Sequence, residues 1–250
     1  MVLKTPDELA VMDRANALVH ETLRLVADAA GPGVSTKELD RLAEEHIRAG
    51  GASPAFKGYR GYPGTLCTSV NDVIVHGIPS AGHKLREGDV LGLDCGVVLE
   101  GFVGDAAITV PIGEIDGEAK RLLEVTRECL ELAVKVIRPG CRLTDIGEVI
   151  QKHAEGAGFS VVRELVGHGI GRSMHEDPQV YNFGPGGRGP ELRPGLVLAI
   201  EPMVNAGVPD VMFDEDGWTA RTEDGKLSAH FEYSVAVTKD GPWVLGVGGT

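Results

Sequence analysis

Five residues spread along this 250-residue chain have the chemistry of metal ligands: Asp94, Asp105, His168, Glu201 and Glu232. Two of them belong together from the start. Asp94 closes the segment Leu85-Arg-Glu-Gly-Asp-Val-Leu-Gly-Leu-Asp94, and Asp105 lies within Gly101-Phe-Val-Gly-Asp105-Ala-Ala-Ile-Thr-Val110. Both segments read as strands, with Glu100-Gly101 as the tight turn between them. Side-chain parity across a two-residue loop puts both acids on one face, as direct or diagonal neighbours roughly 5–8 Å apart at Cβ. They are flanked by apolar residues and glycine, where an acid is costly unless compensated. A shared cation would relieve the repulsion; a shared proton is the alternative.

The other three are weaker signals singly. Glu201 is the one acid of the apolar, strand-like run Leu196-Val-Leu-Ala-Ile-Glu201-Pro-Met-Val. Glu232 sits in an alternating strand, with Phe231, Tyr233, Val235 and Val237 on the opposite face. His168 has glycine on both sides, in Val166-Gly-His-Gly-Ile-Gly171, which lets backbone pack closely and is expected to leave the imidazole accessible. Each could be an exposed or merely hydrogen-bonded residue. Together they supply oxygen and nitrogen donors for two ions. In such a site one ion would bind and polarise a substrate, and a bridging water with a lowered pKa would attack it. A carboxylate-rich, thiolate-free set suits Mn, Fe(II), Co or Zn in a reactive site rather than a structural zinc site.

These residues must be held by helices and strands in alternation. Thr5-Pro6-Asp7-Glu8 opens a helix with a capping box and a first-turn proline. Leu9, Met12, Val19, Leu23 and Val26 follow at helical spacing until Gly31-Pro32-Gly33 stops them. Ser35-Thr36-Lys37-Glu38 opens a second helix that ends near Gly50-Gly51. Helices are also expected over about 117–138 and from about Thr144 to Ala157. The pattern then repeats at an offset of 107: Pro32-Gly33 recurs as Pro139-Gly140, His46 as His153, Gly51 as Gly158 and Leu23 as Leu130. Leu85–Asp94 matches Leu192–Glu201 at the same offset, identical at five of ten positions. Two related halves follow, about 5–115 and 116–250, within a single catalytic domain. The repeat equates Asp94 with Glu201, which places a site on the internal symmetry axis.

Bulk properties narrow the function classes. The 37 acids against 24 Lys and Arg leave a net charge of −13, which argues against nucleic acid as the main ligand. Nothing at the N-terminus reads as a signal peptide, and no run approaches the ~18–20 apolar residues of a membrane span. The four cysteines, Cys67, Cys95, Cys129 and Cys141, are far apart, so reduced and mostly buried thiols in a cytoplasmic, soluble protein are expected.

Asp94-x10-Asp105, Gly-His168-Gly-Ile-Gly, Ile-Glu201-Pro-Met and Ser-Ala-His-Phe-Glu232, in that order, resemble the methionine aminopeptidases of the short bacterial type (type I). The likeness runs from about Thr5 to Val237 and includes Asn71-Asp-Val-Ile-Val-His76-Gly-Ile-Pro79, Met174-His175-Glu-Asp-Pro-Gln-Val180 and Gly217-Trp218-Thr. The resemblance implies an α/β (α+β) pita-bread fold: two pseudo-symmetric halves of helices packed on a mostly antiparallel curved sheet. It implies that Asp94 chelates one divalent ion, that Asp105 and Glu232 bridge two, and that His168 and Glu201 bind the other. Glu201 would also shuttle a proton, His175 would meet the scissile carbonyl, and His76 would stand near the peptide nitrogen. Tyr59, Tyr62, Cys67, His76, Met174, Trp218 and Phe183 would form the methionine pocket, its width set in part by Phe56.

The implied activity is removal of the initiator methionine from nascent proteins and peptides with a small second residue. The partners would be nascent N-termini, with transient ribosome association left open, and the chain would act as a monomer. An Xaa-Pro aminopeptidase or prolidase-like peptidase is one alternative, although those enzymes usually carry an extra N-terminal domain. A non-catalytic peptide-binding relative is the other, although such relatives typically lose ligands and all five are present here.

Overall fold

The computed structural model describes residues 1–247. Four helices carry one layer: α1 (Pro6–Ala29), α2 (Thr36–Ala49), α3 (Gly117–Val136) and α4 (Thr144–Gly156). The sequence signals that open the first two are satisfied as hydrogen bonds. Thr5 and Glu8 exchange side-chain and backbone contacts as a full capping box, and Ser35 and Glu38 do the same. Asp116 caps α3 by accepting the Ala119 N–H. Leu9, Met12, Val19, Leu23 and Val26 are all buried, so the helical periodicity marks the face that packs inward.

The second layer is a curved, nine-stranded sheet whose neighbours all pair antiparallel. Its centre is the long hairpin Val90–Leu99 and Phe102–Pro111, followed in order by Glu232–Thr238, Val197–Ile200, Gly167–Gly169 and Glu176–Val180. Leu66–Val70 pairs with the Asp94 strand on its other side. The hairpin turns on Glu100 and Gly101, both at positive φ (50° and 78°), the backbone that a two-residue turn needs to match strand twist.

The 107-residue offset reappears as matched hydrogen bonds. The Gly33 N–H donates to the Leu85 carbonyl at 2.8 Å, and the Gly140 N–H to the Leu192 carbonyl at 3.1 Å. Leu85 N–H donates to Val34 and Leu192 N–H to Cys141, and the lone bridges Ser35–Lys84 and Arg142–Glu191 also correspond. The helices cover one face of the sheet only. Leu91, Leu93, Cys95 and Val97 pack against α1 and α2, while Leu198, Ile200, Val235 and Val237 pack against α3 and α4. The opposite face is left for the site.

Three strand boundaries differ from the sequence expectation. Leu85–Asp89 is not strand. Gly88 (φ 90°) and the Asp89 carboxylate, which accepts the Arg86 N–H, fold it into a turn. The run Leu196–Val204 breaks after Ile200, because Pro202 has no N–H to continue a ladder, and Met203–Asn205 joins a separate three-stranded sheet with Ser228–His230 and Ser160–Val161. The run from His230 also breaks at Phe231, whose N–H turns to the Pro202 carbonyl. Glu201 and Glu232 therefore sit where strands leave one sheet for another.

Candidate metal centre

Register alone puts all five candidate ligands on the uncovered face. Asp94 pairs directly with Ala107 and Glu232 with the same Ala107, so the three share a face, and Asp105 lies two residues from Ala107 opposite Gly96. Asp94 and Asp105 are thus diagonal cross-strand neighbours. His168 pairs with Ala199, Ala199 with Ser234, and Glu201 lies two residues beyond Ala199. Ala107 and Ala199 keep the middle of the row short, which leaves room between the acids.

His168 is gripped on both sides. A Cβ at Gly167 would lie 2.4 Å from the Ala199 carbonyl oxygen, and one at Gly169 2.5 Å from that of Asp177. The flanking glycines let three strands close around the histidine. Contrary to the sequence expectation, its imidazole is buried rather than accessible, at 8% exposure. Its Nδ1 lies 3.0 Å from the Gly169 carbonyl. As the N–H that donates to that oxygen, Nδ1 leaves Nε2 as a bare lone pair. That Nε2 is 3.5 Å from Glu201 Oε1 and 4.0 Å from Asp105 Oδ2. Burial, then His175, lowers the His168 pKa to about 4, so the ring stays neutral.

The acids are in the opposite predicament. Burial raises the pKa of Asp94, Asp105, Glu201 and Glu232, and their mutual charges raise those of the last three further. Asp94 Oδ1, Asp105 Oδ1 and Glu232 Oε1 are buried without a hydrogen-bond partner among the described residues. Donor atoms of Asp105, His168 and Glu232 all lie within 4.8 Å of one another. Orphaned buried carboxylate oxygens beside a neutral imidazole lone pair fit a divalent cation, which supplies the missing partner and offsets the repulsion.

Asp105 is anchored from α1, a contact that the sequence reading missed. Asn16, fully buried, accepts the Asp105 N–H at 3.1 Å and donates to the Met12 carbonyl at 2.9 Å. A lone asparagine on the apolar face of α1 was its signal. Ser234 Oγ donates to the Asp105 carbonyl at 2.9 Å.

The five ligands lie in a cavity of about 520 Å³. Its remaining wall includes His76, His175, Tyr59, Tyr62, Cys67, Met174, Trp218 and Phe56, so these expected residues are brought together. Phe56 covers Gly96, where an added Cβ would lie 2.6 Å from its ring and 3.1 Å from Met174 Cε. Phe183 is not in the wall. It packs with the α3–α4 core, edge-on to Tyr181 and under Arg163, because its backbone is drawn against Gly147 of α4.

The cavity also contains Arg60, Val75, Leu165, Val166, Met203 and Asp216, none foreseen from the sequence. Tyr62 and His76 both meet the Trp218 ring edge-on. Trp218 is set by the Asp216 carboxylate, which accepts its N–H and that of Thr219, each at 2.8 Å. Outside the wall, His230 was also overlooked: it is buried, with Nε2 3.8 Å from Glu201.

A family model for metallopeptidase family M24 matches residues 10–239. The chain belongs to that family. It is 49% identical to a methionine aminopeptidase of Clostridium acetobutylicum over 98% of both chains. It is 42% identical to that of Escherichia coli over 97% of this chain and 92% of the other. A solved methionine aminopeptidase from Thermotoga maritima superposes with a TM-score of 0.97 at 45% identity, covering 98% of this chain and 99% of that one. A prolidase from Pyrococcus horikoshii shares the fold alone, at a TM-score of 0.80, 20% identity and 63% of its length. Membership of M24 and a buried donor cluster that fits a metal are two independent lines to the same chemistry.

Proposed function

We propose that this M24 chain removes the N-terminal methionine from nascent proteins and peptides whose second residue is small. The observation that carries the reading is the set of four acids and one histidine on one sheet face, at the base of a cavity walled by aromatics and sulfur. Near-full-length relatives named methionine aminopeptidase support the substrate.

In this reading Asp94, Asp105, His168, Glu201 and Glu232 would together hold the divalent metal. Ions so held would polarise the scissile carbonyl and bring the pKa of the attacking water toward neutrality. The chain's own groups do the rest. Burial keeps His175 neutral, and its Nδ1 lies 2.8 Å from the Tyr59 hydroxyl. With Tyr59 donating, Nε2 carries the proton and can donate to the carbonyl oxygen as negative charge develops. His76, neutral for the same reason and turned by a positive φ of 61°, packs edge-on to Trp218 and would present a ring nitrogen to the peptide nitrogen. Glu201 would take a proton from the attacking water and return it to the departing amine.

Tyr59, Tyr62, Cys67, Met174, Trp218 and Phe56 exclude water from the methionine side chain. The Tyr62 hydroxyl is held by the Leu66 and Gly77 carbonyls at 2.9 and 3.0 Å, so the ring is a fixed wall. Burial pushes the Cys67 pKa up, which keeps it a thiol and part of that wall. We read the chain as a cytoplasmic monomer that meets nascent N-termini and associates with the ribosome only transiently. No described helix is long and apolar enough to cross a membrane.

Hydrolysis of Met-Ala-Ser and Ala-Pro-Ser by the metal-loaded enzyme tests the substrate assignment. Cleavage of the first with little of the second is expected. Preference for the Xaa-Pro bond would overturn it.

A further inference from the structure

The mouth of the cavity carries a cation that the catalytic reading does not use. Gly58-Tyr59-Arg60-Gly61 forms a single turn there, with Gly58 at φ 87°, Arg60 at φ 47° and Gly61 at φ 88°. Hydrogen bonds from Gly58 to Tyr62 (2.8 Å) and from Tyr62 to Tyr59 (2.9 Å) close it. An arginine in the left-handed region costs about 1 kcal/mol or more. Glycine would sit there freely, as it does at both neighbouring positive-φ positions.

Arg60 is exposed, lines the cavity, and makes no hydrogen bond or ion pair with any described residue. Its guanidinium lies over the Tyr59 ring, 5.3 Å from the centroid, and Tyr59 is the side chain that bonds His175. The cation is therefore one ring removed from the group assigned to the scissile carbonyl. If the methionine side chain fills the interior, the rest of the peptide must leave past this rim.

The other charged rim residue, Asp216, is turned into its own loop. It accepts the Trp218 and Thr219 N–H groups and the Thr219 hydroxyl. Arg60 is left with free donors above the Tyr59 ring, on a chain whose net charge of −13 would otherwise repel acidic peptides.

We propose that Arg60 is a specificity residue that recognises a carboxylate on the peptide beyond the scissile bond. This rests on the methionine-removal reading above. The carboxylate can come from an acidic third residue or from the free C-terminus of a short peptide, and the guanidinium fork suits either.

Two substrate pairs separate the sources: Met-Ala-Glu-amide against Met-Ala-Gln-amide, and Met-Ala-Ser against Met-Ala-Ser-amide. At low salt the wild-type enzyme should favour the carboxylate-bearing member of at least one pair by about threefold in kcat/KM, an exposed-pair effect. The preference should sit in KM and fade as salt is added. Arg60→Gln should bring the ratio to one, and Arg60→Glu should invert it. Because each ratio is measured within one protein, partial loss of folded enzyme cancels.

A response confined to the first pair assigns the site to acidic side chains. One confined to the second assigns it to the terminal carboxylate. Equal ratios in wild type and Arg60→Gln for both pairs would overturn the Arg60 inference and leave methionine removal standing. Failure of the metal-loaded wild type to cleave any of the four peptides would overturn the functional reading instead.

Discussion

Replacing Asp94 by Asn should stabilise the metal-free protein while disabling the enzyme, and the gain should grow with pH. Asp94 is partly buried beside three other acids, and desolvation raises its pKa from 3.8 to about 7. A carboxyl whose folded pKa lies above its unfolded one contributes full stability below the unfolded value and loses it as pH rises through the folded one. Relative to acid pH, this carboxyl therefore costs the metal-free fold roughly 2 kcal/mol at about pH 5, where only the unfolded chain ionises it, and roughly 4 kcal/mol at about pH 8, from 1.36 kcal/mol per unit. Asn is nearly isosteric and neutral, and can donate its amide to the neighbouring carboxylates. The assay is urea unfolding in excess chelator at both pH values, with wild type and variant compared at equal m-value. The variant should be the more stable, by about 2 kcal/mol more at the higher pH. A variant less stable than wild type, or a gain that does not change with pH, would refute the claim that the site is a set of buried acids awaiting a cation.

Three further outcomes follow from the same geometry. Asp105→Ala should leave a folded protein with weakened metal affinity and no measurable turnover; near-normal kinetics would show that its bridging role is wrong. Asn16→Ala should destabilise the fold by about 1–3 kcal/mol, because the Asp105 N–H loses its buried acceptor, and thermal melts of the chelated protein would measure it. Phe56→Ala should open the cavity over Gly96 and Met174, raising KM for Met-Ala-Ser while letting bulkier first residues be cleaved; unchanged selectivity would remove Phe56 from the pocket wall.

Much of this arrangement was legible in the sequence because it follows from strand parity. A two-residue turn fixes Asp94 and Asp105 as same-face neighbours whatever surrounds them, and the 107-residue repeat fixes the turns that precede Asp94 and Glu201. Both capping boxes are local chemistry and form as written. What the sequence hid is set by long-range packing. Periodicity carries Leu196–Val204 straight through, whereas the chain changes sheets after Ile200. Phe183 reads as an aromatic near Met174 and His175, but the approach of its backbone to Gly147 takes it to the other layer. Asn16 is distant in sequence from Asp105, and Arg60 is a surface residue until the fold brings it to the cavity mouth. Asp94 and Asp105 are 11 positions apart and Glu201 and Glu232 are 31 apart. The longer second spacing includes the segment that delivers Trp218 to the wall, which the repeat could not foretell.

The most direct test of the central claim is to titrate the enzyme with chelator and measure metal content and Met-Ala-Ser turnover in the same samples. Turnover should fall in step with metal lost and return on adding back a divalent ion. Turnover that persists in samples holding far less metal than enzyme would contradict the account.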